Sequence, residues 1–595
     1  MRRLLLLVLV VALTALPVAA RADEKTPVAT GSGGAAATVD EHGTAAAIHA
    51  LRQGGNAVDA AIAAASVLGV VEPYSSGIGG GGFMTIYSAR DGEVHTIDSR
   101  ETAPAAMDAN SFAGLGTFES QRVSGMSVGV PGTLRAWQSA LDEYGTWPLR
   151  RALVPGIVAA LRGFKVDQTF FNQTDEAKAI FADFPATAAL YLDPDGTPRD
   201  VGETIRNPDL ARTYLKIAAR GPDYLYTGRL ARAIVDTVTH PPLRAGATRD
   251  VRPGVMTLDD LAAYKTVDRE PTHIGYRGYD VYGMGPASSG GSTVGEILNI
   301  LEGYPDLGTM ARDQALHYYL EASRYAYADR GKYLGDPGFV SVPLAGLLSD
   351  SFAAERRALI DKDHAATSPV APGDPTDDPK PADVDEGAAT ARVGSTTNMT
   401  VTDRWGNVVE YTFTIEQTGG NGMVVPGYGF LLNNELTDFN LNTDPSPEPG
   451  VSPPSANQLQ GGKRPRSSIA PTIVLDDGKP FLATGTPGGA SIITTVAQIL
   501  INRIDFGMSL PDAIAAPRLS QRNSPTTQTE TPFLSTPEAA ALEARGQKFT
   551  VSTGAGAEIG AATGIEFLDH GDTLAAAEPV RRGGGSAMVV RPEDR

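Results

Sequence analysis

The sequence predicts a mixed α/β (α+β) fold, a β-rich core sandwiched by helices, on three observations. Segments 44–51 and 58–68 are Ala-rich with apolar residues at helical spacing, and Gly54-Gly55-Asn56 marks a stop and restart, so a helical hairpin opens the domain. Two β-hairpins come later: 397–403 with 408–415 across Arg404-Trp405-Gly406-Asn407, and 471–475 with 480–486 across the strong turn signal Asp477-Gly478. Pro487-Gly488-Gly489 then leads into segment 491–506, which carries Ile492, Val496, Ile499, Leu500 and Ile504 on one helical face, so the glycine pair is expected at a helix N-terminus with free N–H groups for an anion.

Between these landmarks 83–87 reads as a strand, 132–144 and 210–219 as helices, and 279–282 as extended chain. A further helix starts near Asp313 and is closed by the stretch from Asp329-Arg330 to Asp336-Pro337. The composition changes at 368–384, where prolines 369, 372, 375, 379 and 381 stand among aspartates with no apolar period. An exposed, mobile linker is expected there, running on to residue 395.

The 595 residues carry a net charge of −19, which argues against a nucleic-acid partner, and 42% hydrophobic residues supply a large core. With no cysteine there is no disulfide framework, no Cys-ligated metal and no thiol nucleophile. Arg2 and Arg3, an apolar run from Leu4 to Leu16, and the small-x-small site Ala20-Arg21-Ala22 mark residues 1–22 as a cleaved secretory signal. The run is shorter than the about 20 residues a membrane span needs. A free chain is expected, secreted or periplasmic, with no membrane association once the signal is removed.

Two familiar motifs fail on context. Gly77-Ile78-Gly79-Gly80-Gly81-Gly82 matches a dinucleotide fingerprint, but a helix precedes it and a strand follows, the reverse of what such a site needs. It reads as a loop that lets backbones approach. Gly125-Met126-Ser127-Val128-Gly129 matches a serine-nucleophile elbow, yet Val130-Pro131-Gly132 stands where a helix must launch, so it reads as a plain turn. The histidines show no metal-binding spacing, and no cofactor is expected.

The remaining candidate for chemistry is Gly394-Ser395-Thr396-Thr397, where the acidic linker meets the first core strand. A cut before Thr396 would create an α-amine, ordinarily with a pKa of about 7.7–8.0, beside the Thr396 hydroxyl, so that one residue supplies both nucleophile and base. The same hydroxyl can attack the Ser395 carbonyl, and such a chain can cut itself. Ser/Thr runs also begin ordinary strands, and the residue pattern alone leaves both readings open.

A set of ordered motifs goes further. It includes Gly54-Gly55-Asn56-Ala57-Val58-Asp59-Ala60-Ala61, Asp98-Ser99-Arg100-Glu101-Thr102-Ala103-Pro104, Tyr325-Ala326-Tyr327-Ala328-Asp329-Arg330, Leu431-Leu432-Asn433-Asn434-Glu435-Leu436-Thr437-Asp438-Phe439, Arg464-Pro465-Arg466-Ser467-Ser468 and Thr486-Pro487-Gly488-Gly489. With these the chain resembles the γ-glutamyltransferase (γ-glutamyl transpeptidase, glutathione hydrolase) precursors of the N-terminal-nucleophile hydrolase superfamily.

The resemblance implies a four-layer αββα sandwich. It also implies self-cleavage into a large subunit, 23–395, and a small one, 396–595, associated as a heterodimer in one composite domain. It makes Thr396 the nucleophile, with Thr414 beside the new amine. Arg100, Ser467 and Ser468 would hold the donor's α-carboxylate, Glu435 and Asp438 its α-ammonium, and Gly488 and Gly489 would donate N–H groups to the oxyanion. The substrates implied are γ-glutamyl donors such as glutathione, with water, amino acids or peptides as acceptors.

Two departures stand out. Glu416 occupies a position where the family often has a neutral residue, though a carboxylate there still suits an ammonium. The loop 440–462 has the length of a lid but contains five prolines and no aromatic residue. The rival readings are a glutaryl-type amidase of the same fold, as in cephalosporin acylases, and an uncleaved, inactive secreted binding protein.

Overall fold

Most of the core strands are buried along much or all of their length, which places them in the middle of a layered structure with cover on both faces. The computed structural model describes residues 25–375, 395–443, 455–551 and 559–591; the expected signal, residues 1–22, lies outside them. The core strands are β1 (Val28–Gly31), β2 (Gly34–Thr38), β3 (Gly81–Ser88), β4 (Glu93–Asp98), β5 (Val267–Asp268), β6 (Thr272–Tyr276), β7 (Tyr279–Gly283), β8 (Thr396–Asp403), β9 (Val408–Thr414), β10 (Thr472–Asp476), β11 (Lys479–Gly485), β12 (Thr563–Phe567), β13 (Thr573–Ala577) and β14 (Ser586–Val589). They form two seven-stranded sheets, ordered β14-β2-β8-β9-β3-β4-β5 and β1-β13-β12-β11-β10-β7-β6, antiparallel throughout.

Helices α1 (Glu41–Arg52) and α2 (Ala57–Val71) form the expected hairpin, and α2 lies on β8 and β9. All fifteen residues of α2 are buried. Its alanines let it approach other elements on every side, and Asn56 and Asp59 close a capping box at its start. Helix α3 (Thr133–Glu143) also packs on α2, and α4 (Pro208–Arg220) lies in the same hydrophobic cluster. On the other side α5 (Gly290–Glu302) covers β6 and β7, α6 (Arg312–Tyr333) packs on α5, and α7 (Ile492–Ile504) reaches β11. The sheets meet where β8 and β9 face β11 and β12. Helix, sheet, sheet, helix is the αββα order expected. Among the described residues no helix is long and apolar enough to cross a membrane.

Turn chemistry holds where it is specific: Asp477 and Gly478 have φ of 47° and 75°, the pair of left-handed residues a two-residue hairpin turn demands. Three expectations need correction. The helical hairpin does not open the fold, because β1 and β2 precede it. Strand β2 is Gly-Ala-Ala-Ala-Thr, buried throughout between β14 and β8, so it shows no alternation and has a single β-branched residue, Thr38. The proline-rich stretch is not free over 368–375: Val370 N donates to Asn523 Oδ1 at 2.7 Å, Arg356 Nη2 to Ala371 O at 2.9 Å and Tyr333 Oη to Gly373 O at 2.7 Å. Backbone polar groups, which a composition count does not see, anchor it; 376–394 lie outside the described residues. Finally, Gly488-Gly489 does not open the long helix directly, since a 3₁₀ turn, Gly489–Ser491, intervenes.

The glycine run is the close-approach loop expected. A Cβ on Gly80 would stand 1.9 Å from Thr414 O, and one on Gly79 2.0 Å from Leu431 O. Ser127 lies buried in a 3₁₀ turn, its hydroxyl donating to Arg122 O and Ser124 O at 2.7 and 2.9 Å. Behind the glycines sits Glu101, fully buried, with neither carboxyl oxygen hydrogen-bonded; a Cβ on Gly81 would come within 2.6 Å of it. Burial pushes this carboxyl from 4.5 up to about 8, against the pull of Arg100.

Gly80→Ala is expected to cost about 1–3 kcal/mol or more, because the obstacle is backbone; an unchanged midpoint in urea would contradict this packing. Glu101 holds its proton more tightly folded than unfolded, so its stabilising contribution is complete below the unfolded pKa and is lost as pH rises toward 8. Thermal unfolding across that window should show the wild type losing ground relative to Glu101→Gln, with a parallel pair of curves as the contrary result.

Candidate active site

The β8–β9 register sets Thr396 opposite Thr414. Thr396 Oγ1 donates to Thr414 Oγ1 at 3.1 Å, and Thr414 Oγ1 donates to Ser395 O at 2.9 Å while accepting from Glu416 N at 2.8 Å. Ser395 N donates to Glu416 O at 2.6 Å. Glu416 has φ of 78°, a left-handed conformation, and its N–H and C=O thereby both serve the Ser395–Thr396 junction. Both threonines are buried.

Thr396 and Thr414 line a cavity of about 360 Å³ together with Arg100, Glu416, Glu435, Asp438, Ser467, Ser468 and Gly489. Gly488 is not in its wall; with φ of 139° it turns the chain against the Gly560 backbone just behind Gly489. Arg100 follows β4, Glu435 and Asp438 share the 3₁₀ turn Glu435–Asp438, and the serines run ahead of β10, where Ser289 N donates to Ser467 O at 2.9 Å.

Electrostatics dominate the cavity. Arg100 is almost fully buried, ion-paired with Glu435 and Asp438, and also donates to Pro465 O at 3.1 Å and Arg466 O at 3.3 Å. Of its five N–H groups these bonds leave one, on Nη1, uncommitted. Burial pushes the Glu416 carboxyl up to about 7, with Asp438 adding to the rise and hydrogen bonds from Gln417 and Asn434 opposing it. Burial also drives Glu435 well above the usual carboxylate range, though Arg100 pulls it down; its Oε2 is buried with no hydrogen bond. Arg100 thus pairs directly with two of the three carboxyl groups in the wall, and Glu435 Oε2 is left for a further donor.

The cavity also holds residues that sequence reasoning did not single out. Arg330 Nη2 donates to Ser468 Oγ at 2.9 Å and its Nε to Ser289 Oγ at 2.8 Å. Arg466 Nη1 donates to Arg330 O and Gly331 O at 3.1 and 3.2 Å, near the end of α6. Both arginines fall in quoted motifs, which was the available signal. Phe439, one residue before the 440–462 loop, lines the cavity too. All five of that loop's prolines lie outside the described residues.

With this geometry in hand, the likenesses are informative. Residues 43–588 match the family model described as gamma-glutamyltranspeptidase. The chain is 39% identical over 516 residues to the glutathione hydrolase proenzyme of Bacillus subtilis (strain 168), covering 84% of this chain and 82% of that one. It is 37% identical over 509 residues to the acylase ACY 1 proenzyme of Pseudomonas sp. (strain SE83), covering 83% and 84% respectively. Among solved structures it resembles cephalosporin acylase from Bacillus halodurans, with a TM-score of 0.81 at 28% identity over 97% of this chain and 99% of that one. The chain belongs to the γ-glutamyltranspeptidase family.

Proposed function

We propose that the chain is exported behind residues 1–22, cuts itself between Ser395 and Thr396, and acts as a hydrolase and transferase of glutathione and other γ-glutamyl amides. The hydrogen-bonded line from Thr396 through Thr414 to the Ser395 carbonyl carries this reading. Thr396 Oγ1 attacks the Ser395 carbonyl carbon, and Thr414, donating to that carbonyl oxygen, steadies the developing oxyanion. The C–N bond breaks, the hydroxyl proton passes to the departing nitrogen, and Ser395 is left as an ester on Thr396 Oγ1. Water hydrolyses that ester, releasing the Ser395 carboxylate and the free Thr396 amine.

The two pieces stay together because their strands interleave: β8 and β9 of the second piece lie between β2 and β3 of the first. In the mature protein the amine acts as base, Thr396 Oγ1 takes the γ-glutamyl group, and the leaving amine departs with the proton. Water, an amino acid or a peptide amine resolves the ester. Gly488 and Gly489 are the oxyanion donors of this reading, and Ser467, Ser468 and the uncommitted Arg100 N–H meet the α-carboxylate. Glu416, Glu435 and Asp438 meet the α-ammonium, whose charge opposes the burial that drives the Glu416 and Glu435 carboxyls upward. No cofactor enters these steps.

The likeness to acylases supports one alternative, an amidase for glutaryl groups, which have the same reach but no ammonium. The crowded carboxyls favour the γ-glutamyl reading, since a glutaryl group brings no donor to the buried Glu435 Oε2, an unsatisfied group that costs about 1–3 kcal/mol.

Purified wild type should show a small band of about one third of the 62.2 kDa chain, beginning Thr-Thr-Asn-Met, whereas Thr396→Ala stays uncut and inactive. An active uncut chain removes the base and with it the mechanism. The γ-glutamyl anilide should exceed the glutaryl anilide in kcat/KM by on the order of 10². Asp438→Ala should narrow that gap by harming the γ-glutamyl substrate alone; equal or reversed preference in the wild type selects the acylase.

A further inference from the structure

We infer that Arg582 is a positioning residue for the reacting threonine: its guanidinium holds the Thr396 carbonyl while Ser75, bonded to the same guanidinium, holds the Ser395 side chain. The inference rests on the self-cleavage reading above, since it concerns the two residues flanking that bond. Arg582 Nη1 donates to Thr396 O at 2.6 Å, and Nη2 reaches Ser75 Oγ at 2.8 Å and Glu72 Oε2 at 3.3 Å. Ser75 Oγ stands 2.7 Å from Ser395 Oγ. A guanidinium only donates, so Ser75 accepts from it and has its own hydrogen to give to Ser395. One planar fork thus orients both sides of the junction.

Sheet geometry explains why such a group is needed. Strand β8 pairs with β2 only from Met399 onward, so among the described residues its first three have no strand neighbour on that edge, and Arg582 takes the Thr396 carbonyl there instead. The turn carrying Arg582 is itself held. Arg582 has φ of 54°, uncommon for a residue with a side chain, ahead of Gly583 and Gly584 at 75° and 78°. Thr169 Oγ1 donates to Arg582 O at 3.1 Å, and Lys25 Nζ to Gly583 O and Gly584 O at 3.3 and 3.2 Å. Every one of these outside contacts, from Lys25, Glu72, Ser75 and Thr169, comes from chain before the cut, and Arg582 comes from chain after it.

The test is the rate at which full-length precursor converts to two bands, with the thermal midpoint measured alongside. Arg582→Gln should slow conversion by on the order of 10², the scale of a misplaced reacting group, and Ser75→Ala by less. Arg582→Lys, keeping the charge and one donor, should recover part of the rate. Guanidinium ion at millimolar concentration should accelerate Arg582→Ala but not the wild type. Conversion of Arg582→Gln at the wild-type rate overturns this inference alone. Slowing that neither lysine nor guanidinium relieves, tracking a lowered midpoint, marks a merely structural arginine and also overturns it. An uncut wild type overturns the cleavage reading, and this inference with it.

Discussion

The pairing of β8 with β9 is the constraint on which the site depends. An antiparallel register leaves no freedom in which residue faces which, and here it puts Thr396 across from Thr414 at the very end of the ladder, where the chain is about to leave the sheet. Slipping β8 by one residue would turn the Thr396 hydroxyl to the opposite face from that of Thr414. The glycine run defends that register from the other edge of β9, because Gly81 pairs with Thr414 and any side chain on Gly80 would strike its carbonyl.

The second organising feature is charge held in a low-dielectric pocket. Arg100, Glu416, Glu435 and Asp438 line the cavity with Glu101 buried behind Arg100, and only Asp438 keeps substantial exposure. Such a cluster adds little to stability on its own, since desolvation offsets most of the attraction. Its physical sense is preorganisation: the carboxyls sit close together before any ligand arrives, and the Asn433 side chain helps hold their turn, its Oδ1 accepting from Glu435 N at 3.0 Å.

The two sheets draw strands from both sides of residue 395, so the expected large and small pieces are not separate domains laid side by side. Each sheet needs both. Strand β2 lies between β14 and β8, and β1 extends the second sheet beside β13. A cut at the Ser395 junction would leave these ladders intact, which is why a severed bond there is compatible with both sheets staying whole.

Much of this was legible in the sequence because the signals were local. Helical spacing marked α2, α6 and α7, the Asp477-Gly478 pair fixed a hairpin, and the junction of linker and strand singled out Thr396, with the family motifs naming most of the cavity wall. What the sequence by itself determined is therefore the set of elements and the residue types offered for chemistry. Tertiary structure alone decided the rest. Strand β2 has no pattern because both its faces are buried, and residues 368–375 are held by backbone hydrogen bonds that composition does not encode. Arg100 is claimed by two carboxylates more than 300 positions away, and Arg582 reaches Thr396 across 186. Those contacts exist only once two sheets have stacked and brought distant chain together, because neither hydrophobic period nor turn chemistry carries information over such separations.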